Sequence, residues 1–283
     1  MRLKGVEFGQ VWGASGVQGF FGGGYWFHRL CRPFGLNFRG VTFVAKTTTL
    51  NPRAGKGSMP LKADFTPQER FPKCIVIKPL KGVALNSVGL SGPGAAALFE
   101  KGLWQQRRNP FFISFMSVAE SPAGRIVELR QFVTLFTRYL PAFNAPVGLQ
   151  INYSCPNVGL HAKELIGEVE EGLTIASELD IPLVPKFNLT LPVAIACRVA
   201  AHPACDAICV SNTIPWGQLP RNIDWTYLFG TAKSPLAHLG GGGLSGKPLL
   251  PLLLEWIRLA RKAGNASQMV QAIAISLSSI WDF

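Results

Sequence analysis

Short apolar runs alternate along this chain with segments of helical periodicity, and no other feature narrows its fold as far. The candidate strands are Phe8–Ala14, Val41–Lys46, Phe111–Phe115, Val147–Asn152, Leu183–Phe187 and Ala207–Ser211. Several are apolar without interruption and bounded by polar residues or glycine, as expected of strands covered on both faces. Helical stripes lie between them. In Lys163–Leu179, residues Leu165, Val169, Leu173, Ala176 and Leu179 fall on one side and Glu168, Glu170, Glu171 and Glu178 elsewhere. Ile126–Leu140 carries Leu129, Phe132, Val133, Phe136 and Leu140 in the same manner. Thr190 is placed to cap a helix that holds Pro192 in its early turn and runs toward Ala201. A further helix runs from Pro248 to Ala263 and stops at Gly264.

Such alternation predicts a parallel sheet. A doubly wound sheet gathers its chemistry at one crevice, whereas a barrel presents polar residues at the C-terminal ends of successive strands. The second pattern is present. Ser15 follows the first strand, Lys46 and Thr47 end the second, and Ser117 follows the third. Asn152 ends the fourth, Lys186 the fifth, and Ser211-Asn212-Thr213 the sixth. The expected architecture is therefore α/β, a TIM (β/α)8-type barrel over residues 1–264 with about six of the eight strand–helix units present. Residues 48–108 contain no barrel unit and read as an insertion folded over the barrel mouth. Residues 265–283 form an atypical tail.

Composition excludes several function classes. The 283 residues are 48% apolar, enough for one large α/β domain. The net charge of +12 suggests nucleic acid, but the basic residues are scattered and never form a run of five. A small anionic ligand explains part of the excess more economically. The six cysteines include no C-x-x-C pair, and Cys205 and Cys209 read as small buried hydrophobes. His28, His161, His202 and His238 make no metal-like pair and are expected to be structural or exposed; the tryptophans read as packing residues, with Trp216 bordering the site. No apolar stretch approaches the roughly 18 residues that span a bilayer, and the N-terminus has no apolar signal core. The expectation is a cytoplasmic protein with no metal, no nucleic-acid partner and no membrane partner.

The most informative segment is Ile151-Asn152-Tyr153-Ser154-Cys155-Pro156-Asn157-Val158-Gly159. A strand ends at Asn152, the chain turns at Pro156, and two carboxamides bracket a thiol. Each carboxamide offers two donors and an acceptor, which suits a heterocycle carrying lactam groups. The thiol, once ionised, can act as a general base. By itself the segment also fits an Asx-Pro turn with a buried cysteine.

Asn-x-Ser-Cys-Pro-Asn at 152–157 resembles the active-site motif of the dihydroorotate dehydrogenases that use cysteine as base. Other segments match that family in the same order over roughly Val6 to Ala263. Ala14-Ser15-Gly16 resembles the first-strand turn against the flavin, and Ala45-Lys46-Thr47 the lysine element that meets both FMN and substrate. Asn86-Ser87-Val88-Gly89-Leu90 resembles the substrate loop, and Lys186 the lysine beside the flavin N1/O2 edge. Ser211-Asn212-Thr213 resembles the strand end that holds the pyrimidine, and Gly242-Gly243-Leu244-Ser245-Gly246 the glycine loop after it.

The resemblance implies oxidation of (S)-dihydroorotate to orotate in pyrimidine (UMP) biosynthesis. FMN would be held by Ala14, Ser15, Lys46, Thr47, Asn152, Lys186, Ser211 and Gly246. Substrate would meet Lys46, Asn86, Ser87, Val88, Gly89, Leu90, Asn152, Asn157, Asn212 and Thr213. Cys155 would remove the C5 proton, with Lys46 as the nearby cation, while the C6 hydride goes to flavin. The loop Cys155–Lys163 would be a lid. The implied acceptor is fumarate or a partner flavoprotein subunit, and the implied assembly a homodimer. The alternatives are a related flavin enzyme acting on another dihydropyrimidine, or a truncated non-catalytic member. The family grips the flavin phosphate in glycine-rich loops after strands seven and eight, and residues 264–283 contain no Gly-Gly turn. A truncated or frameshifted end is the first expectation there, a substituting tail or completing partner the others. Six units would leave the first and sixth strands with unpaired edges.

Overall fold

The computed structural model describes residues 1–56, 59–153, 162–263 and 274–275. Its strands are β1 (Arg2–Leu3), β2 (Val6–Glu7), β3 (Val11–Gly13), β4 (Val41–Thr42), β5 (Ile75–Lys78), β6 (Val83–Asn86), β7 (Phe111–Phe115), β8 (Val147–Asn152), β9 (Leu183–Phe187), β10 (Cys209–Val210), β11 (Ile214–Pro215), β12 (Gly243–Gly246) and β13 (Ala274–Ile275). Its α-helices are α1 (Trp26–Cys31), α2 (Ala95–Glu100), α3 (Pro122–Tyr139), α4 (Ala162–Ala176), α5 (Val193–Ala200), α6 (Trp225–Phe229) and α7 (Leu249–Ala263).

Parallel pairing runs β13–β3–β4 and β7–β8–β9–β10. The two groups join where Val44 bridges Phe112 and Thr48 bridges Phe115. The side chains divide cleanly between two faces. On one, Phe111, Ile113, Phe115, Leu149, Ile151, Leu183 and Phe187 pack with Leu129, Phe132 and Phe136 of α3 and Val169 and Leu173 of α4. On the other, Leu3, Phe8, Trp12, Val44, Phe112, Val184, Ala207 and Cys209 form a separate cluster. That second cluster takes residues from β3, β7, β9 and β10. Gly148 is needed for this packing: a Cβ there would lie 2.3 Å from the Phe112 ring, which packs between Phe8 and Trp12 at centroid distances of 4.4 and 4.5 Å.

The three central strands occupy the residues their apolar runs predict. The outer ones are shorter than predicted. Before β3, the Phe8 amide turns back to the Met1 carbonyl, and beyond β4 the Lys46 amide goes to Gly19 rather than to a ladder partner. Helix α3 begins with Ser121 Oγ accepting from the Gly124 amide at 3.0 Å and Pro122 in its first turn. Thr190 does not cap α5. Its amide (2.9 Å) and hydroxyl both donate to Asn188 Oδ1, and the helix starts after Pro192 with no side-chain cap. The predicted bare edge of the first strand is also corrected, because Ala274 and Ile275 pair with Trp12 and Gly13. Among the described residues β10 has β9 on one side only.

A second, antiparallel sheet, β11–β12–β6–β5, has no counterpart in the sequence reading. Only Ser211, Asn212 and Thr213 separate β10 from β11, so this sheet hangs from the C-terminal end of the parallel strands. No helix among the described residues is long and apolar enough to cross a membrane, and no cluster of His, Cys, Asp or Glu among them could hold a metal ion.

In the segment after β3, His28 is buried on α1 and accepts the Tyr25 amide at Nδ1, 3.0 Å. Burial, aided by Arg32, holds this imidazole down to about 4. An unfolded imidazole titrates near 6.5, so between these values the unfolded chain binds a proton that the folded chain refuses. The stability His28 contributes is thus full above about pH 6.5 and lost as pH falls toward 4. Denaturant midpoints should fall over that interval in the parent protein and fall less in His28→Gln. Equal slopes in the two proteins would rule this role out.

Candidate active site

A line of polar groups crosses the C-terminal ends of the parallel strands. Ser15 Oγ donates to the Ala45 carbonyl (3.0 Å) and lies 2.8 Å from Thr47 Oγ1. Thr47 Oγ1 lies 2.9 Å from Ser114 Oγ, which donates to Gln150 Oε1 at 3.4 Å. Two residues along β8 from Gln150, Asn152 falls on the same face, paired with Lys186, which is paired in turn with Cys209. Ser114 and Gln150 are 0% and 2% exposed. Buried polar side chains on an otherwise apolar face have a cost unless they are bonded, and here they bond one another. The sequence reading missed both. The available signal was a polar residue breaking each apolar run, in Phe-Phe-Ile-Ser-Phe and Gly-Leu-Gln-Ile.

Two lysines sit at this rim. Lys186 is 5% exposed. Burial pushes its ammonium below the ordinary lysine range, while the neighbouring Cys209 thiol works the other way. No carboxylate pairs with Lys186 among the described residues. Lys46 donates to the Ser91 carbonyl and lies 4.5 Å above the centre of the Phe20 ring. Burial brings it down to about 8, with the Cys74 thiol opposing the shift. It remains mainly protonated at neutral pH.

The amides converge on the far side of Lys186. Asn212 Nδ2 donates to Asn152 Oδ1 at 2.7 Å, and the Asn212 backbone amide reaches the Phe187 carbonyl at 2.8 Å. Asn212 Oδ1 accepts from the Thr213 amide at 3.2 Å, and Ser211 Oγ donates to the Asn212 carbonyl at 2.7 Å. Gly243 lies against Thr213, where a Cβ would come within 2.3 Å of the threonine hydroxyl. Gly243 is also the ladder partner of Asn86. The antiparallel sheet thus carries the end of β6 to Asn212.

The loop that follows β6 is pinned by its backbone. Ser87 Oγ donates to the Leu239 carbonyl (2.7 Å), Val88 accepts from the Lys56 amide (3.2 Å), and Gly89 accepts from Arg53 Nε (3.0 Å). Leu90 holds φ +64°, a left-handed conformation that costs a leucine about 1–3 kcal/mol. Strain of this kind collects where a loop is held for a ligand.

The structure therefore joins Ser15, Lys46 and Thr47 at one part of the rim, with Ala14 beside them in the chain, and Asn152, Lys186, Ser211, Asn212, Thr213 and Asn86 at another. Gly246 belongs to neither. It lies at the opposite end of the β12–β6 ladder, where a Cβ would come 2.2 Å from the Gly82 carbonyl. Trp216 packs on Trp225 and Phe229 while its amide reaches Gly242. Ser117 bonds the Arg125 carbonyl. His28 is buried, His202 meets Thr174, and His238 is exposed. Cys155, Asn157, His161 and most of the tail lie outside the described residues.

No family model matches the chain. Among curated proteins it is similar to dihydroorotate dehydrogenase A (fumarate) of Lactobacillus delbrueckii subsp. bulgaricus, with 30% identity over 237 residues, covering 81% of this chain and 66% of the relative. The protein of the same description from Lacticaseibacillus paracasei is 30% identical over 251 residues, covering 86% of this chain and 72% of the relative. The dihydroorotate dehydrogenase B (NAD(+)) catalytic subunit of Thermoanaerobacter pseudethanolicus is 26% identical over 229 residues, covering 78% and 63%. The chain thus spans just under two thirds of the length of the Lactobacillus delbrueckii relative.

Proposed function

The chain belongs to the dihydroorotate dehydrogenase family, and on that premise we propose that it oxidises (S)-dihydroorotate to orotate in pyrimidine biosynthesis, with FMN as the hydride acceptor. The observation that carries the proposal is the meeting of Asn152, Asn212 and a buried Lys186, with no carboxylate partner among the described residues, at the C-terminal ends of adjacent parallel strands. In our reading those strands are the arc of a (β/α)8-type barrel over residues 1–264, with residues 48–108 inserted over its mouth.

The donor set fits a flavin. A buried ammonium needs an electron-rich partner, and Lys186 has no carboxylate beside it among the described residues. Ser15, Thr47 and Ser211 offer hydroxyls, Asn152 an amide, and Ala14 a backbone turn against the ring. When bound, FMN supplies the two-electron acceptor that no side chain here provides.

The chain's own residues do the rest. Cys155 removes the proton at C5 of dihydroorotate. Asn152, Asn157, Asn212 and Thr213 read the pyrimidine amide edges, and Asn86 through Leu90 close over the substrate. Lys46 faces the substrate carboxylate, and Lys186 stabilises negative charge at the pyrimidine-like edge of the flavin. The electrons would pass on to fumarate or to a partner flavoprotein subunit; one relative is described with fumarate and another as a catalytic subunit with NAD(+). A cytoplasmic homodimer completes the proposal.

Adding dihydroorotate to FMN-reconstituted protein should bleach the visible flavin bands; bound flavin that stays oxidised would reject the assignment. Competition isolates Lys46. Orotate should displace bound ligand far better than uracil, which lacks the carboxylate. Lys46→Met should weaken orotate about 10–100-fold, the range of a charge-assisted hydrogen bond, with little effect on uracil. A parallel loss for both ligands would remove Lys46 from the carboxylate.

A further inference from the structure

Helix α1 and the 3-10 turn after it, Arg32–Phe34, present an apolar ridge to solvent. Trp26, Leu30 and Phe34 recur every fourth residue and are 37%, 63% and 84% exposed. Phe71, 77% exposed, extends the ridge from a different part of the chain, its ring edge-on to Trp26 with centroids 5.1 Å apart. The indole N–H is already spent on the Arg70 carbonyl at 3.0 Å, so the Trp26 ring keeps no polar demand that water must meet. Beneath the ridge, buried His28 packs on Phe38 and Phe27.

The charges around it are mostly positive. Arg29, Arg32, Arg39 and Arg70 are exposed, and the Arg70 guanidinium lies 5.9 Å over the Trp26 ring. From Phe8 to Ala63 the chain has seven Lys or Arg and no Asp or Glu. The acid next to the ridge in the chain is Glu69.

We propose that this face docks on an anionic lipid surface, lying in its plane. Convex apolar tips ringed by arginine suit a headgroup layer, which needs no complementary groove. A twofold contact with a second copy would set the arginines of one chain against those of the other. The proposal is independent of the reaction assigned above, and it revises the expectation that this chain has no membrane partner.

The test is co-sedimentation of the full chain with phosphatidylcholine vesicles, with and without phosphatidylserine. Binding should require phosphatidylserine and weaken with added salt. Phe34→Ser with Phe71→Ser, both exposed and harmless to the core, should lower binding more than about tenfold. Arg29→Gln and Arg32→Gln should each lower it by about fivefold. No binding to phosphatidylserine, equal binding to neutral vesicles, or binding unchanged in the variants would each overturn the proposal. So would self-association that the serine variants abolish while vesicles leave the protein in the supernatant.

Discussion

Replacing Cys155 with alanine should slow reduction of bound FMN by dihydroorotate about 10²–10⁴-fold, the usual contribution of a positioned general base, while orotate binding changes no more than a few-fold. The two readouts separate because the base acts only on the proton at C5, which orotate no longer carries as an sp³ C–H. Orotate affinity rests instead on the amides and Lys46. An ordinary thiol has a pKa of about 8.5, so only a few per cent is ionised at neutral pH. The reduction rate should therefore climb as pH rises toward that value, more gently if a nearby cation favours the thiolate. Cys155→Ser keeps the size of the side chain but raises the pKa far above the working range, so most of the rate loss should persist. Stopped-flow bleaching paired with orotate titration measures both quantities. Equal losses in rate and affinity would make Cys155 a binding residue and remove it from proton transfer.

How much of this was legible in the sequence depends on how local each feature is. Phe111–Phe115, Val147–Asn152 and Leu183–Phe187 are strands from first residue to last because each is buried on both faces, and that burial is written into a mainly apolar run. The stripe on α4 and the turn after it was equally plain, with Val169, Leu173, Ala176 and Leu179 all buried. Pairing over long separations left no such mark. Gly243–Gly246 is a strand only because Val83–Asn86 and Ile214–Pro215 lie beside it, and it begins and ends on glycine, which on its own signals a loop. At Thr190 a local competition decides the outcome: Asn188 Oδ1 takes the hydroxyl that would otherwise cap the helix. The site divides along the same line. Lys46, Asn152, Lys186 and Asn212 stood out as polar residues at the ends of apolar runs. Ser114 and Gln150 lie within such runs, and only the Ser15–Thr47–Ser114–Gln150 chain of contacts gives them a place at the rim.

Lys186→Met should produce opposite effects on activity and on stability. Flavin reduction should fall about 10²–10³-fold, the range seen when one preorganised electrostatic group is removed from developing charge. The flavin-free protein should nonetheless become more stable, because an apolar side chain of similar length replaces a buried ammonium without a carboxylate partner among the described residues. Each kcal/mol gained would raise the melting temperature by about 2–4 °C in a chain of this size. The pH dependence follows from the same burial. Lys186 is held below its unfolded pKa, so between the two values the unfolded chain binds the extra proton, and stability rises with pH across that window. Lys46, held near 8, adds to the rise above that pH. The flavin-free parent should therefore gain stability as pH rises from neutral toward the ordinary lysine range, and Lys186→Met should lose part of that gain. Adding FMN should reverse the ranking, because a ligand that engages the ammonium stabilises the parent and not the variant. A Lys186→Met variant that is less stable without flavin and reduces it at the parent rate would show that Lys186 serves the fold rather than the cofactor.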